Sequence, residues 1–198
     1  MKIIVGLDLS NSTGYAVLQD TELVDYGVLH STKPTENFAC YDYSYIEKAK
    51  SVAALCGELV GRLQPDMIAI EQTNKSKSRF TQKQLEFIHY AVLEELRQYK
   101  DVITYIDTGA WRGGLQLHST KEDRKHNALV KKKLARGKIT PKHRAVRWAN
   151  AEFDLSLKLK DNDIADAIAV AVFAQRKSAT QGQVDTIDSI ADFFQEEL

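Results

Sequence analysis

"IIVGLDLSNSTGYAVL" (residues 3–18) is the stretch from which the fold is read. Residues 2–9, "KIIVGLDL", form a short apolar run with β-branched side chains and one glycine, the pattern of a strand buried on both faces. Asp8 interrupts that run near its end. "SNSTG" is a turn cluster closing on Gly14. "YAVLQD" and "TELVDYGVLH", meeting at Asp20–Thr21, read as two further strands. The opening therefore predicts a three-stranded antiparallel meander whose first strand is interrupted by a carboxylate.

Further along, residues 31–44 are a polar and aromatic loop. Ile46, Ala49, Ala53, Cys56, Val60 and Leu63 then recur at helical spacing, with Pro65 just beyond. "DMIAIEQ" (66–72) is a fourth buried strand and carries Glu71 at its end. "TNKSKSRFTQK" (73–83) reads as a loop with four basic residues and no acid. Leu85, Ile88, His89, Val92, Leu93 and Leu96 mark a second helix, and "DVITYID" (101–107) a fifth strand. "TGAWRGGLQLHST" is a Gly-rich connection, followed by a basic block with one or two helices in which Pro141 suits a first helical position. "KDNDIADAIAVAVFAQ" (160–175) is a helix whose apolar body demands burial, and residues 185–197 read as a terminal helix. This order predicts one α/β domain over 1–198. Its mixed five-stranded sheet has an antiparallel meander extended by two parallel strands, with flanking helices.

The 198 residues suffice for a proper core, and 43% hydrophobic with 27% charged is an ordinary globular composition. No run of 18 apolar residues is present, so no membrane span is expected, and the N-terminus lacks the features of a signal peptide. Cys40 and Cys56 show neither metal nor redox spacing, which points to the reducing cytoplasm. Net charge is zero, but its distribution is uneven. Residues 119–148 hold 11 Lys/Arg against Glu122 and Asp123, whereas residues 161–198 hold eight Asp/Glu against Arg176 and Lys177. A basic block of this kind is either a phosphate-binding surface or a solvated helix face.

The carboxylates carry the chemistry. Asp8 interrupts the first strand and Glu71 ends the fourth, and neighbouring strands can set them side by side at the same end of a sheet. Asp163 and Asp166 are three apart and share one helix face. Separately, each has an ordinary explanation: a turn start for Asp8, a solvent-facing strand end for Glu71, the helix dipole for Asp163. Together they would repel strongly and raise each other's pKa. Divalent cations resolve that conflict, and hard oxygen ligands suit Mg²⁺ or Mn²⁺. Asp161 remains a rival ligand.

"IIVGLDLSNSTGYAVL", "IAIEQ" and "DNDIADAIAVAVFA" together resemble the RuvC family of Holliday-junction endonucleases, within the RNase H-like fold. The resemblance implies that Asp8, Glu71, Asp163 and Asp166 bind two divalent metals, and it selects Asp163 over Asp161. It implies cleavage of four-way or other branched DNA to 5′-phosphate ends, by a homodimer that brings one site to each of two opposing strands. Basic residues after the fifth strand, here Arg112, Lys121 and Lys125, are expected near the scissile phosphate. Lys131, Lys132 and Lys133 are expected on the DNA arms, as are Lys75, Lys77 and Arg79, with Phe80 as an aromatic wedge. The basic 73–84 loop, the 31–44 loop and the tail beyond Arg176 depart from the bacterial pattern and point to a phage-type member. Two other readings stay open. An actin-like or sugar-kinase-like ATPase also opens with a strand, an Asp and a Gly-containing turn, although it needs a second lobe. A non-catalytic branched-DNA-binding module would not need four acids.

Overall fold

The computed structural model describes residues 1–32, 41–72 and 78–195, the side chains of Tyr41 and of residues 181–195 excepted. Its centre is a five-stranded sheet in the order β3-β2-β1-β4-β5. The strands are β1 (Ile3–Asp8), β2 (Ser12–Gln19), β3 (Glu22–His30), β4 (Met67–Glu71) and β5 (Ile103–Ile106). β1, β2 and β3 pair antiparallel, and β4 and β5 join as parallel strands. This is the mixed sheet expected from the sequence. β2 begins at Ser12, earlier than expected, because Gly14 already pairs with Asp8 and Tyr15 with Leu7. The turn is thereby confined to residues 9–11.

Alternation along the strands decides which face each residue serves. In β1, Val5 and Leu7 pack with α1 (Tyr41–Leu63) and α2 (Arg79–Glu95), while Ile4 packs on the opposite side. That opposite side is covered by α3 (Thr108–Gly114), α5 (Pro141–Phe153) and α6 (Asn162–Gln195). Gly6 therefore faces α6, and so does the carboxylate two residues on, Asp8. β4 obeys the same parity: Ile68 and Ile70 face α1 and α2, and Ala69 faces α6. Since Leu7 registers with Ile70, Asp8 and Glu71 follow side by side on the α6 face.

α6 approaches the sheet unusually closely. A Cβ on Gly6 would lie 2.3 Å from the Ala167 carbonyl oxygen, and one on Gly14 would lie 1.9 Å from that of Asp163. Ala167 and Ala171, the small residues of the helix that meet Gly6, are fully buried.

Several elements differ from their expected bounds. α1 starts at Tyr41, inside the expected loop. Arg79 and Phe80 occupy the first turn of α2, where the Ser78 hydroxyl accepts from the Thr81 N–H, so the expected loop stops at its cap. The Gly-rich connection is partly helical: Asp107 caps α3 by accepting from the Ala110 N–H at 2.9 Å, overriding three glycines. The basic block holds two helices, α4 (Lys121–Lys131) and α5, with Pro141 at the start of α5. Residues 185–195, the described part of the expected terminal helix, belong to α6. Cys56 is buried, and burial pushes its thiol up to about 12; Cys40 lies outside the described residues. Among the described residues, no helix is long and apolar enough to cross a membrane.

Candidate metal centre and nucleic-acid interface

Strand register and helix packing bring Asp8, Glu71 and Asp166 together. One carboxylate oxygen from each lies within 4.8 Å of the others. Asp166 is 4% exposed, and its Oδ1 has no hydrogen-bond partner. Its Oδ2 stands 4.0 Å from the Arg112 guanidinium. Burial first, and then the negative charge of Glu71, push the Asp166 carboxyl up to about 7, with Arg112 pulling the other way. Burial and the charges of Glu71, Asp166 and Asp163 hold Asp8 well above the usual carboxylate range.

The residues fit divalent ions. Three hard oxygen donors converge, Arg112 at 4.0 Å from Asp166 offsets their mutual repulsion only in part, and a buried oxygen lacks a partner. Asp163 lines the same cleft but is not in the tight group; its Oδ1 lies 3.7 Å from the Lys142 ammonium. Asp161 is engaged elsewhere: its Oδ2 accepts the Lys158 N–H at 2.8 Å and closes a 3₁₀ turn at Leu159–Asp161.

The cleft above the cluster has a volume of about 460 Å³. Arg112 and Lys142 bring positive charge to it, and Thr81, Leu85 and His89 form its α2 wall. Burial drives His89 down to about 4, so it is a neutral hydrogen-bonding group at ordinary pH; its Nδ1 lies 2.9 Å from the Tyr105 hydroxyl.

Of the basic residues expected near the chemistry, Arg112 lines the cleft, whereas Lys121 and Lys125 stand exposed on α4 outside it. Lys142, on the first turn of α5, was not singled out in the sequence. The signal was its place beside Pro141, which fixes a helix start and so the direction of the next side chain. Thr108 and Trp111 also escaped notice. Both donate to Glu71 Oε1, at 2.7 and 3.2 Å.

The α4 region carries the exposed basic side chains Lys121, Arg124, Lys125, Lys131, Lys132 and Lys133. Asp123 is buried and paired with Arg147 at 2.8 Å, which anchors α4 to α5 and holds the Asp123 carboxyl below its usual range. Asn127 exchanges two hydrogen bonds with the Ile139 backbone, fixing the turn between the helices. Lys131, Lys132 and Lys133 project from that turn into solvent. Phe80 is 61% exposed at the start of α2. Lys75 and Lys77 lie outside the described residues.

With this geometry in place, solved structures supply a comparison. RuvC of Thermus thermophilus superposes with a TM-score of 0.62 at 16% identity, covering 90% of this chain and 96% of that one. The fold is that of RuvC. The same protein in complex with a Holliday junction substrate matches over the same shares, at 16% identity and a TM-score of 0.56. The yeast mitochondrial Holliday junction resolvase Ydc2 matches at 14% identity with a TM-score of 0.54, over 98% of this chain and 84% of its own. No family model and no curated protein matches the sequence. The likeness to RuvC thus lies in the mixed sheet and its flanking helices, the RNase H-like arrangement expected from the sequence, with little identity beneath it.

Proposed function

We propose that this chain is a metal-dependent endonuclease that cuts Holliday junctions or similarly branched DNA by phosphodiester hydrolysis. The observation that carries this reading is the convergence of Asp8, Glu71 and Asp166 within 4.8 Å, with an unpartnered buried oxygen, below a cleft that also holds two cations. Asp8, Glu71 and Asp166, with Asp163 beside them, are the residues that would hold two Mg²⁺ or Mn²⁺ ions. Bound there, the ions supply Lewis acidity that lowers the pKa of the attacking water and neutralises charge on the leaving 3′-oxygen.

The side chains divide the remaining work. Arg112 and Lys142 face the scissile phosphate and offset its charge. His89 stays neutral and offers hydrogen bonding without competing for the acids. The exposed lysines of α4 and the following turn hold the DNA arms through phosphate contacts. Phe80, exposed at the rim of the same face, stacks on bases at the crossover. Two copies of the chain, related by a two-fold axis, present two such sites to the two opposing strands of a junction. The likeness to RuvC solved with a Holliday junction supports the choice of substrate.

Cleavage of a synthetic four-way junction in Mg²⁺ or Mn²⁺, beside a linear duplex of the same sequence and an ATP-turnover assay, tests the proposal. Junction-selective nicking that disappears in EDTA is expected. ATP hydrolysis without nicking would transfer the site to the kinase-like reading.

A further inference from the structure

We propose that Thr108 and Trp111 are positioning residues that clamp one oxygen of Glu71 and so dedicate the other to a metal ion; this rests on the metal-dependent reading above. Both donors belong to α3 and lie three residues apart, on one helix face. Both converge on Oε1, Thr108 Oγ1 at 2.7 Å and Trp111 Nε1 at 3.2 Å. A carboxylate oxygen has about two lone-pair sites, so two donors saturate it. A cation can then reach Glu71 only through Oε2.

The chemistry of the donors matters as much as their number. A lysine or arginine in either place would cancel the charge that attracts the metal. A hydroxyl and an indole N–H fix the carboxylate without neutralising it, as outer hydrogen-bond partners of metal ligands do. The clamp itself is stiff. Trp111 is fully buried, the Arg112 guanidinium lies 4.8 Å from its ring centroid, and α3 is pinned at its start by Asp107. Gly114 at the other end of α3 sits against the ring of Phe173 on α6, where a Cβ would meet it at 2.4 Å. The helix that orients Glu71 is therefore seated on the helix that carries Asp166.

A buried indole N–H also needs an acceptor for its own sake, and Glu71 could serve only that need. The experiment separates the two roles. Mn²⁺ binding to the DNA-free protein is measured by calorimetry for wild type, Thr108→Val, Thr108→Ser and Trp111→Phe, alongside melting temperature and the Mg²⁺ dependence of cleavage. Thr108→Val and Trp111→Phe should each weaken Mn²⁺ binding by about 10-fold or more, the range for lost outer partners. The Mg²⁺ midpoint for cleavage should rise in step, with the rate regained at saturating metal. Thr108→Ser keeps the hydroxyl and should bind Mn²⁺ as wild type does. Unchanged Mn²⁺ affinity in Thr108→Val, with wild type binding normally, overturns the clamp alone. A lowered melting temperature at unchanged affinity assigns both residues to packing and also overturns it. A wild-type protein that binds no Mn²⁺ overturns the metal reading and the clamp with it.

Discussion

Asp166→Asn should stabilise the metal-free protein while abolishing cleavage. A carboxyl raised in the folded state favours folding only when protonated. Its contribution is complete below the unfolded pKa and is lost as pH climbs through the folded one. For Asp166 the window runs from the ordinary 3.8 to about 7. At about 1.4 kcal/mol per pH unit, that span is a ceiling of about 4 kcal/mol lost by pH 8. Local relaxation reduces the recoverable part to about 2 kcal/mol, which in a chain of this size moves the melting temperature by about 4–8 °C. An asparagine of the same shape carries no charge at any of these pH values. In EDTA at pH 8 the variant should melt about 4–8 °C above wild type, and the two curves should converge as pH falls towards 4. Adding Mg²⁺ should raise wild type far more than the variant, by about 2.7 kcal/mol at 100 times the dissociation constant. The assay is differential scanning calorimetry from pH 4 to 9 with and without metal. A variant that melts below wild type in EDTA at pH 8, or a difference that ignores pH, would refute the claim that burial and the charge of Glu71 disfavour ionised Asp166 in the folded protein.

Asp8→Asn and Glu71→Gln should each cut junction cleavage by at least about 10²-fold while gel-shift affinity for the junction in Ca²⁺ or EDTA survives. Asp161→Asn should leave cleavage within a few-fold of wild type, as about 1 kcal/mol of turn stability is all that its bond to Lys158 represents; a loss equal to that of Asp163→Asn would reverse the assignment of the helix ligands. Replacing Lys131, Lys132 and Lys133 with Ala should flatten the dependence of log K on log salt by about 0.9 for each phosphate contact removed, read by fluorescence anisotropy at several salt concentrations. Phe80→Ala should leave the melting temperature nearly unchanged, because the ring is mostly exposed, yet slow cleavage and remove the fluorescence rise of 2-aminopurine at the crossover.

Legibility in the sequence followed periodicity. The sheet was readable because strands alternate or run apolar between turn residues, and Asp8 and Glu71 stood out as charges in those runs. Asp166 was readable because it opens an otherwise apolar helix. What escaped was set by three-dimensional neighbours. α3 was hidden by Gly109, Gly113 and Gly114, whose poor helix propensity is overridden by the Asp107 cap and by packing on Phe173. Thr108 and Trp111 acquire meaning only once β4 places Glu71 beside them. Lys142 belongs to a block of eleven cations with nothing local to distinguish it; only the fold turns it, and not Lys121 or Lys125, towards the acids.

The close seating of α6 on β1 and β2 has a genetic consequence. At Gly6 and Gly14 the obstacle to a side chain is a backbone carbonyl on α6, at 2.3 and 1.9 Å. Neither glycine belongs to the acid cluster, so a catalogue of reacting groups would omit both. A screen for loss of function should nonetheless recover them beside Asp8, since any added carbon wedges α6, with Asp166, away from the sheet that carries Asp8 and Glu71. Such alleles should also resist intragenic suppression: the colliding atom at each position is a carbonyl oxygen that every amino acid shares, so no trimmed neighbour can make room.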